Sequence, residues 1–310
     1  MHHLPPPPVA LAATEPGNVF RATNSVLPDP KVYWQGRFTN GYNWVDYLNM
    51  TLSNKVKAQV LNYAYGGASA CSSAYTATNF PFVREMDGQT AAFVADVQSG
   101  KIPSGKNTRI IPLQLIGGND VLLGLTAAAR SGRLPTEAEL VSLVAALVRC
   151  RLGALRAYTE LPGVRDAVLL PLGPIYVAPV VPAFMRPMVK ELIDTIDARL
   201  EEAVAALQAE LDGRPKGAPG AGVRVHALGG NSWIARGSSL TQPPFANVTD
   251  PCFWNRGSVL RLTPGLVPCA DPENYLFYDD THISSRFHKW VALEGVVPRL
   301  QQLRILPLGI

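Results

Sequence analysis

Residues 109–120 read R-I-I-P-L-Q-L-I-G-G-N-D. The run from Arg109 to Ile116 is apolar, too short for a helix and stopped by Gly117-Gly118, which predicts a buried strand. Pro112 counts against it, because proline has no N–H to give to a ladder. The same form recurs on either side. Val60-Leu61-Asn62-Tyr63-Ala64 ends at Gly66-Gly67, Asp166 to Leu172 is a third apolar run, and Val223 to Leu228 again meets two glycines. Between these runs the apolar residues fall at helical spacing, over 42–56 (Trp44, Val45, Leu48, Leu52), 90–97, 119–131, 136–158, 188–211 and 284–303. Strands alternating with helices predict a mostly parallel sheet covered on both faces. In such sheets ligands sit outside the carboxyl ends of the strands. The double glycines and Asn119 fall at those ends, and so does D-D-T-H (279–282), which follows the short apolar stretch Tyr275 to Tyr278.

Composition narrows the function classes. A chain of 310 residues with 17% charged side chains and a net charge of +4 has no block of Lys and Arg, so a nucleic-acid partner, which wants a basic stripe, is set aside. No apolar run is long enough to span a membrane. The start, MHHLPPPPVALAA, has no basic residue and is broken by Pro5 to Pro8, so no signal peptide is visible in it. Residues 1–16 read as an irregular, Pro-rich segment and 17–310 as a single domain, with 231–275 a long, poorly regular insertion. Of four cysteines, Cys252 and Cys269 lie in a Pro/Gly-rich loop and form a candidate disulfide; four buried free thiols are the alternative. The sequons at Asn49 and Asn247 lean towards secretion and are candidate N-glycosylation sites.

The chemistry-bearing residues are few. Asp279 and His282 have the spacing for a carboxylate that orients an imidazole, as in a nucleophile–base–acid triad. Read alone, the pair is better taken as a helix-capping Asp beside a surface His. Gly66-Gly67 offers backbone N–H groups at a strand end, and Asn119 offers a side-chain amide; both are oxyanion donors in principle. Read alone, the first is a turn and the second a helix N-cap. Asp279, Asp280, His282 and His288 form a weak metal reading with no matching ligands elsewhere, and no cofactor is expected. His226 reads as a satisfied core or cleft-wall histidine.

The order of four blocks changes these odds. G-R-F-T-N-G-Y-N-W-V-D-Y-L (36–48), N-Y-A-Y-G-G-A-S-A (62–70), I-G-G-N-D (116–120) and F-Y-D-D-T-H-I-S (277–284) resemble, in sequence, the blocks of the GDSL-type esterase/lipase family, the SGNH hydrolases. The resemblance runs over roughly residues 17–290. It implies an α/β fold, a three-layer α/β/α sandwich on a flavodoxin-like five-stranded parallel sheet. It implies a lipase/acylhydrolase acting on carboxylic esters through an acyl-enzyme, with Asp279 and His282 as acid and base and Gly67 and Asn119 as oxyanion donors. The implied partner is a small-molecule, lipid or polysaccharide acyl ester, handled by a secreted monomer.

The family's first block, which holds the nucleophilic serine, is not matched. Gly17-Asn18 fits its end, and counting back places Ala12 at the serine position. Thr14 is the nearest hydroxyl and lies two residues off. Pro5 to Pro8 do not supply the strand that should precede the serine. We read residues 1–16 as not the family's native start; a degenerate homologue that binds acylated sugars or lipids without turnover is the alternative. As written, the chain is expected to be nearly inactive.

Overall fold

The computed structural model describes residues 17–105, 107–130, 132–229, 245–255 and 260–309. Ala12, Thr14 and the rest of 1–16 lie outside the described residues, as does part of the 231–275 insertion. The chain divides into two compact units: Tyr63–Val177 with Val181–Ser232, here the sheet unit, and Met1–Asn62, Ala178–Val180 and Trp233–Ile310, here the terminal unit.

The sheet unit is built on three parallel strands, β1 (Leu113–Gln114), β2 (Asp166–Leu169) and β3 (Arg224–Ala227), in that order. All four residues of β2 are buried, as expected of a parallel strand flanked on both edges and covered on both faces. Val168 sits opposite Leu113 on one side and His226 on the other. The proline objection resolves in detail: Pro112 contributes only its carbonyl, which accepts from the Val168 N–H at 2.9 Å. The regular ladder therefore begins at Leu113.

Helices cover this sheet. Numbered after two helices of the terminal unit, they are α3 (Ala74–Asn79), α4 (Met86–Gln98), α5 (Gly118–Arg130), α6 (Glu137–Thr159) and α7 (Arg186–Asp212). Helix α6 starts at a capping box in which Thr136 and Glu139 satisfy each other's backbone N–H groups. Helix α7 has a proline at its start and buries Val189, Leu192, Ile193, Ile196, Leu200, Val204, Leu207 and Leu211, a stripe at helical spacing that faces the core. Cys71 and Cys150 are disulfide-bonded, tying the loop after Gly67 to α6.

The terminal unit holds α1 (Asn18–Ala22), α2 (Trp44–Val56), the parallel pair β4 (Asn247–Pro251) and β5 (Tyr275–Phe277), and α8 (Ser285–Trp290), which continues through a π-helical turn at Val291–Val296 into α9 (Val297–Gln302). The last helix is therefore not one regular α-helix over 284–303. Pro298 has no N–H for the carbonyl four residues back, and the widened turn falls just ahead of it. Cys252 and Cys269 are disulfide-bonded beside β4. Residues 178–180 join this unit, the Val180 N–H donating to the Asp280 carbonyl at 2.7 Å.

One further expectation changes: residues 57–65 form no strand. The described strands make one sheet of three and one of two, a mixed α/β architecture with parallel sheets. The five-stranded sandwich is a finer claim than these strands carry.

Candidate active site

In the terminal unit, β5 delivers the chain into a tight loop. The Tyr278 N–H donates to the His282 carbonyl at 2.7 Å, and Ser284 N–H to Leu276 carbonyl at 2.9 Å. The three-residue spacing of Asp279 and His282 follows from this turn. Asp279 Oδ1 accepts the backbone N–H groups of Thr281 at 2.8 Å and His282 at 2.6 Å, which folds the loop back on the carboxylate. The His282 ring then meets the same carboxylate, Nδ1 lying 2.8 Å from Oδ2 and 3.0 Å from Oδ1. Asp279 is fully buried, whereas the His282 side chain remains 30% exposed. One member is fixed and the other reachable.

Electrostatics follow from this placement. Burial works against the Asp279 carboxylate, but His282, the hydrogen bonds from its ring and backbone, and Tyr33 outweigh it and hold the pKa below the ordinary Asp value. Burial also works against a charged His282, yet the Asp279 charge wins and raises its pKa above the ordinary histidine value. The pair is arranged to stabilise an imidazolium.

Sequence reading missed two residues here. Tyr33 donates its O–H to Asp279 Oδ2 at 2.6 Å, and Asn255 Nδ2 donates to the Tyr33 oxygen at 3.2 Å. Both are buried, Tyr33 among Phe253 and Tyr278 in edge-on contact. No local pattern flags a tyrosine that meets an aspartate across 246 positions. The G-R-F-T-N-G block, which alone reads as a turn before a helix, acts directly on the site. Phe38 stacks on the His282 ring with centroids 5.3 Å apart. Asn40 Oδ1 accepts the Ser285 N–H at 2.8 Å, at the start of α8. Gly41 leaves room for that helix, since a Cβ there would lie 2.8 Å from Ser285 Oγ. Arg37 and Asp46 form a buried two-point ion pair at 2.6 and 2.8 Å that locks the block to the first turn of α2.

In the sheet unit, Gly67 has φ +83°, a left-handed conformation that suits glycine. Asn119, in the first turn of α5 after β1, donates its Nδ2 to the Ala68 carbonyl at 2.8 Å. Its neighbour Asp120 accepts the N–H groups of Ala70 at 2.8 Å and Cys71 at 3.2 Å, and Glu85 accepts that of Ser69. Asn119 lies inside α5, one residue past its start, rather than capping it: its side chain and that of Asp120 pin the loop that follows Gly67. Burial raises the pKa of Asp120 and Glu85, against the backbone N–H groups they accept.

The other candidates have plainer surroundings. His226 Nε2 lies 3.0 Å from Asp166, which also binds Arg109 and Arg224 at 2.6 and 2.8 Å. Among the described residues, no group of three or more His, Cys, Asp or Glu is arranged to hold a metal ion, and no helix is long and apolar enough to cross a membrane. Asn49 is buried, its Oδ1 accepting from Ser53 and the Val60 N–H, whereas Asn247 is half-buried at the start of β4.

Among known proteins, the chain is similar to the secreted effector protein SseJ of Salmonella typhimurium strain LT2, with 30% identity over 106 residues. That match covers 34% of this chain and 23% of the relative, so it spans about a quarter of the relative's length. The sequence profile of GDSL-like Lipase/Acylhydrolase matches residues 17–294, most of the chain and parts of both units. Asp279, His282, Gly67 and Asn119 all fall inside that match, and the chain belongs to the GDSL-like lipase/acylhydrolase family, the SGNH hydrolases.

Proposed function

We propose that this chain carries the acid–base and oxyanion residues of a serine ester hydrolase that works through an acyl-enzyme. A serine oxygen attacks the ester carbonyl while His282 Nε2 takes its proton and passes it to the departing alcohol. Water then repeats the sequence on the acyl-enzyme and regenerates the serine. Asp279 stays ionised, holds His282 as the Nδ1–H tautomer and stabilises the imidazolium in each half-reaction. The Gly67 N–H and the Asn119 amide serve the oxyanion. The observation that carries this reading is the 2.8 Å contact between His282 Nδ1 and a fully buried Asp279 carboxylate. The family match across both units supports treating 17–310 as one domain on the family's five-stranded sandwich.

The substrate class is a carboxylic ester of a lipid, short acyl or polysaccharide acetate. Secretion of a monomeric protein is the matching localisation, supported by two disulfides and by the similarity to a secreted effector protein. Asn247 is the better placed of the two glycosylation candidates, because the Asn49 amide is buried.

With Ala12 at the serine position, the 310-residue chain is expected to hydrolyse esters about 10⁶-fold more slowly than one that carries the serine. Placing an apolar strand and Gly-Asp-Ser ahead of Glu15 is expected to restore hydrolysis of short nitrophenyl esters, and His282→Ala in that chain to abolish it again. A repaired, folded chain without esterase activity refutes the assignment of Asp279 and His282.

A further inference from the structure

Asp279 Oδ2 is an acceptor with two claimants. His282 Nδ1 lies 2.8 Å from it and the Tyr33 phenol 2.6 Å from it. Oδ1 is occupied by the backbone N–H groups of Thr281 and His282. The carboxylate is therefore held in place by the loop even without Tyr33, and the phenol adds charge withdrawal at the oxygen nearer the imidazole, 2.8 Å against 3.0 Å for Oδ1. Asn255 Nδ2, donating to the Tyr33 oxygen at 3.2 Å, leaves that oxygen's own proton to Asp279. Tyr33 and Asn255 are both almost wholly enclosed, at 2% and 1% exposure, so water does not compete for these contacts. Hydrogen bonds to a charged acceptor in such surroundings are the strong ones.

We propose that Tyr33 is a positioning residue for the acid–base pair: its O–H shares Asp279 Oδ2 with His282 and limits the grip of the carboxylate on the imidazole. Too strong a grip leaves the histidine protonated and unable to serve as a base, while too weak a grip frees its tautomer. The functional meaning rests on the ester-hydrolase reading; the contact itself does not. Asp280 and His288 are the other titratable side chains that act on His282, and neither is altered by changes at position 33.

The test is an NMR titration of His282 in the full chain, with 15N-histidine label and the resonance assigned by its loss in His282→Asn. Tyr33→Phe keeps the ring contacts with Phe253, Tyr278 and Phe38 and removes only the O–H. The expected result is an upward displacement of the His282 midpoint, with a smaller one in the same direction for Asn255→Ala. Site-specific 3-fluorotyrosine at position 33, nearly isosteric and a stronger donor, moves the midpoint down and carries the test if Tyr33→Phe fails to fold. A role in packing alone predicts no displacement in any of these; an unchanged or lowered midpoint in folded Tyr33→Phe, or an unchanged one with fluorotyrosine, overturns the proposal. If the midpoints move as expected but the serine-repaired chain does not cleave esters, the ester reading falls and the positioning role stands. If the repaired chain is active and the midpoints stay fixed, the reverse holds.

Discussion

Acidification is expected to destabilise the fold through His288. Its ring is half-buried on α8, and Nδ1 is enclosed with no hydrogen-bond partner among the described residues. Burial, reinforced by repulsion from His282, pushes its pKa down to about 3, against about 6.5 in an unfolded chain. The folded value lies below the unfolded one, so the unfolded state binds more protons, and stability falls as pH drops from 6.5 towards 3. At pH 5 the two values give a loss of about 2 kcal/mol relative to pH 7.5. His282 acts with the opposite sign: its raised pKa contributes stability that is fully present below the unfolded value and is lost as pH rises through the folded one. Its contribution therefore grows on acidification and partly hides that of His288. The assay must isolate one residue, and urea unfolding of wild type and His288→Leu at pH 7.5 and pH 5 does so, since all other groups titrate in both proteins. Wild type is expected to lose about 2 kcal/mol more than the variant between the two pH values. Equal acid losses refute the reasoning, because they mean that the folded chain charges His288 as readily as the unfolded one does.

Asp46→Ala removes the carboxylate partner of the Arg37 guanidinium, whose side chain is 3% exposed, and the capping box of α2; a loss of about 3 kcal/mol is expected in urea unfolding. Gly117→Ala combines φ +124° with a Cβ that would lie 2.8 Å from Leu172 Cδ2 and 3.1 Å from Leu147 Cδ1, so about 2–4 kcal/mol is lost, read as a lower denaturant midpoint. Replacing both Cys71 and Cys150 by Ala opens a loop of 79 positions and is expected to cost about 4.5 kcal/mol, against about 3 kcal/mol for Cys252 and Cys269, which close 17; equal losses would count against the loop-entropy account.

Strand β2 was legible because it is buried along its whole length and reads apolar from Ala167 to Leu169, and double glycines mark where the chain turns after β1 and β3. Val60–Ala64 reads the same way and is not a strand. The D-x-x-H pair was legible because its geometry is local: one turn brings carboxylate, two N–H groups and imidazole together. Tyr33, Asn255 and Phe38 were not, since each reaches the pair through tertiary folding. A tyrosine bound to a buried carboxylate and one packed in the core read identically in sequence. The π turn before Pro298 was foreshadowed only by the proline, which marks a break without naming its form.

The cost of Asp279 separates the two functional readings. A carboxylate taken wholly out of water is expensive unless its oxygens are bonded. Here Tyr33, two backbone N–H groups and an imidazole are committed to that task. Replacing such a buried network as a whole by apolar side chains is often neutral or stabilising, so enclosure alone does not call for an acid at this position. What the acid provides is an imidazole of fixed tautomer, stabilised in its charged form and still 30% exposed. A cleft that only binds acylated sugars or lipids has no use for a fixed tautomer, whereas a histidine that accepts and returns a proton in every cycle depends on one. The arrangement around Asp279 therefore favours proton-transfer chemistry over passive binding, independently of what occupies the serine position.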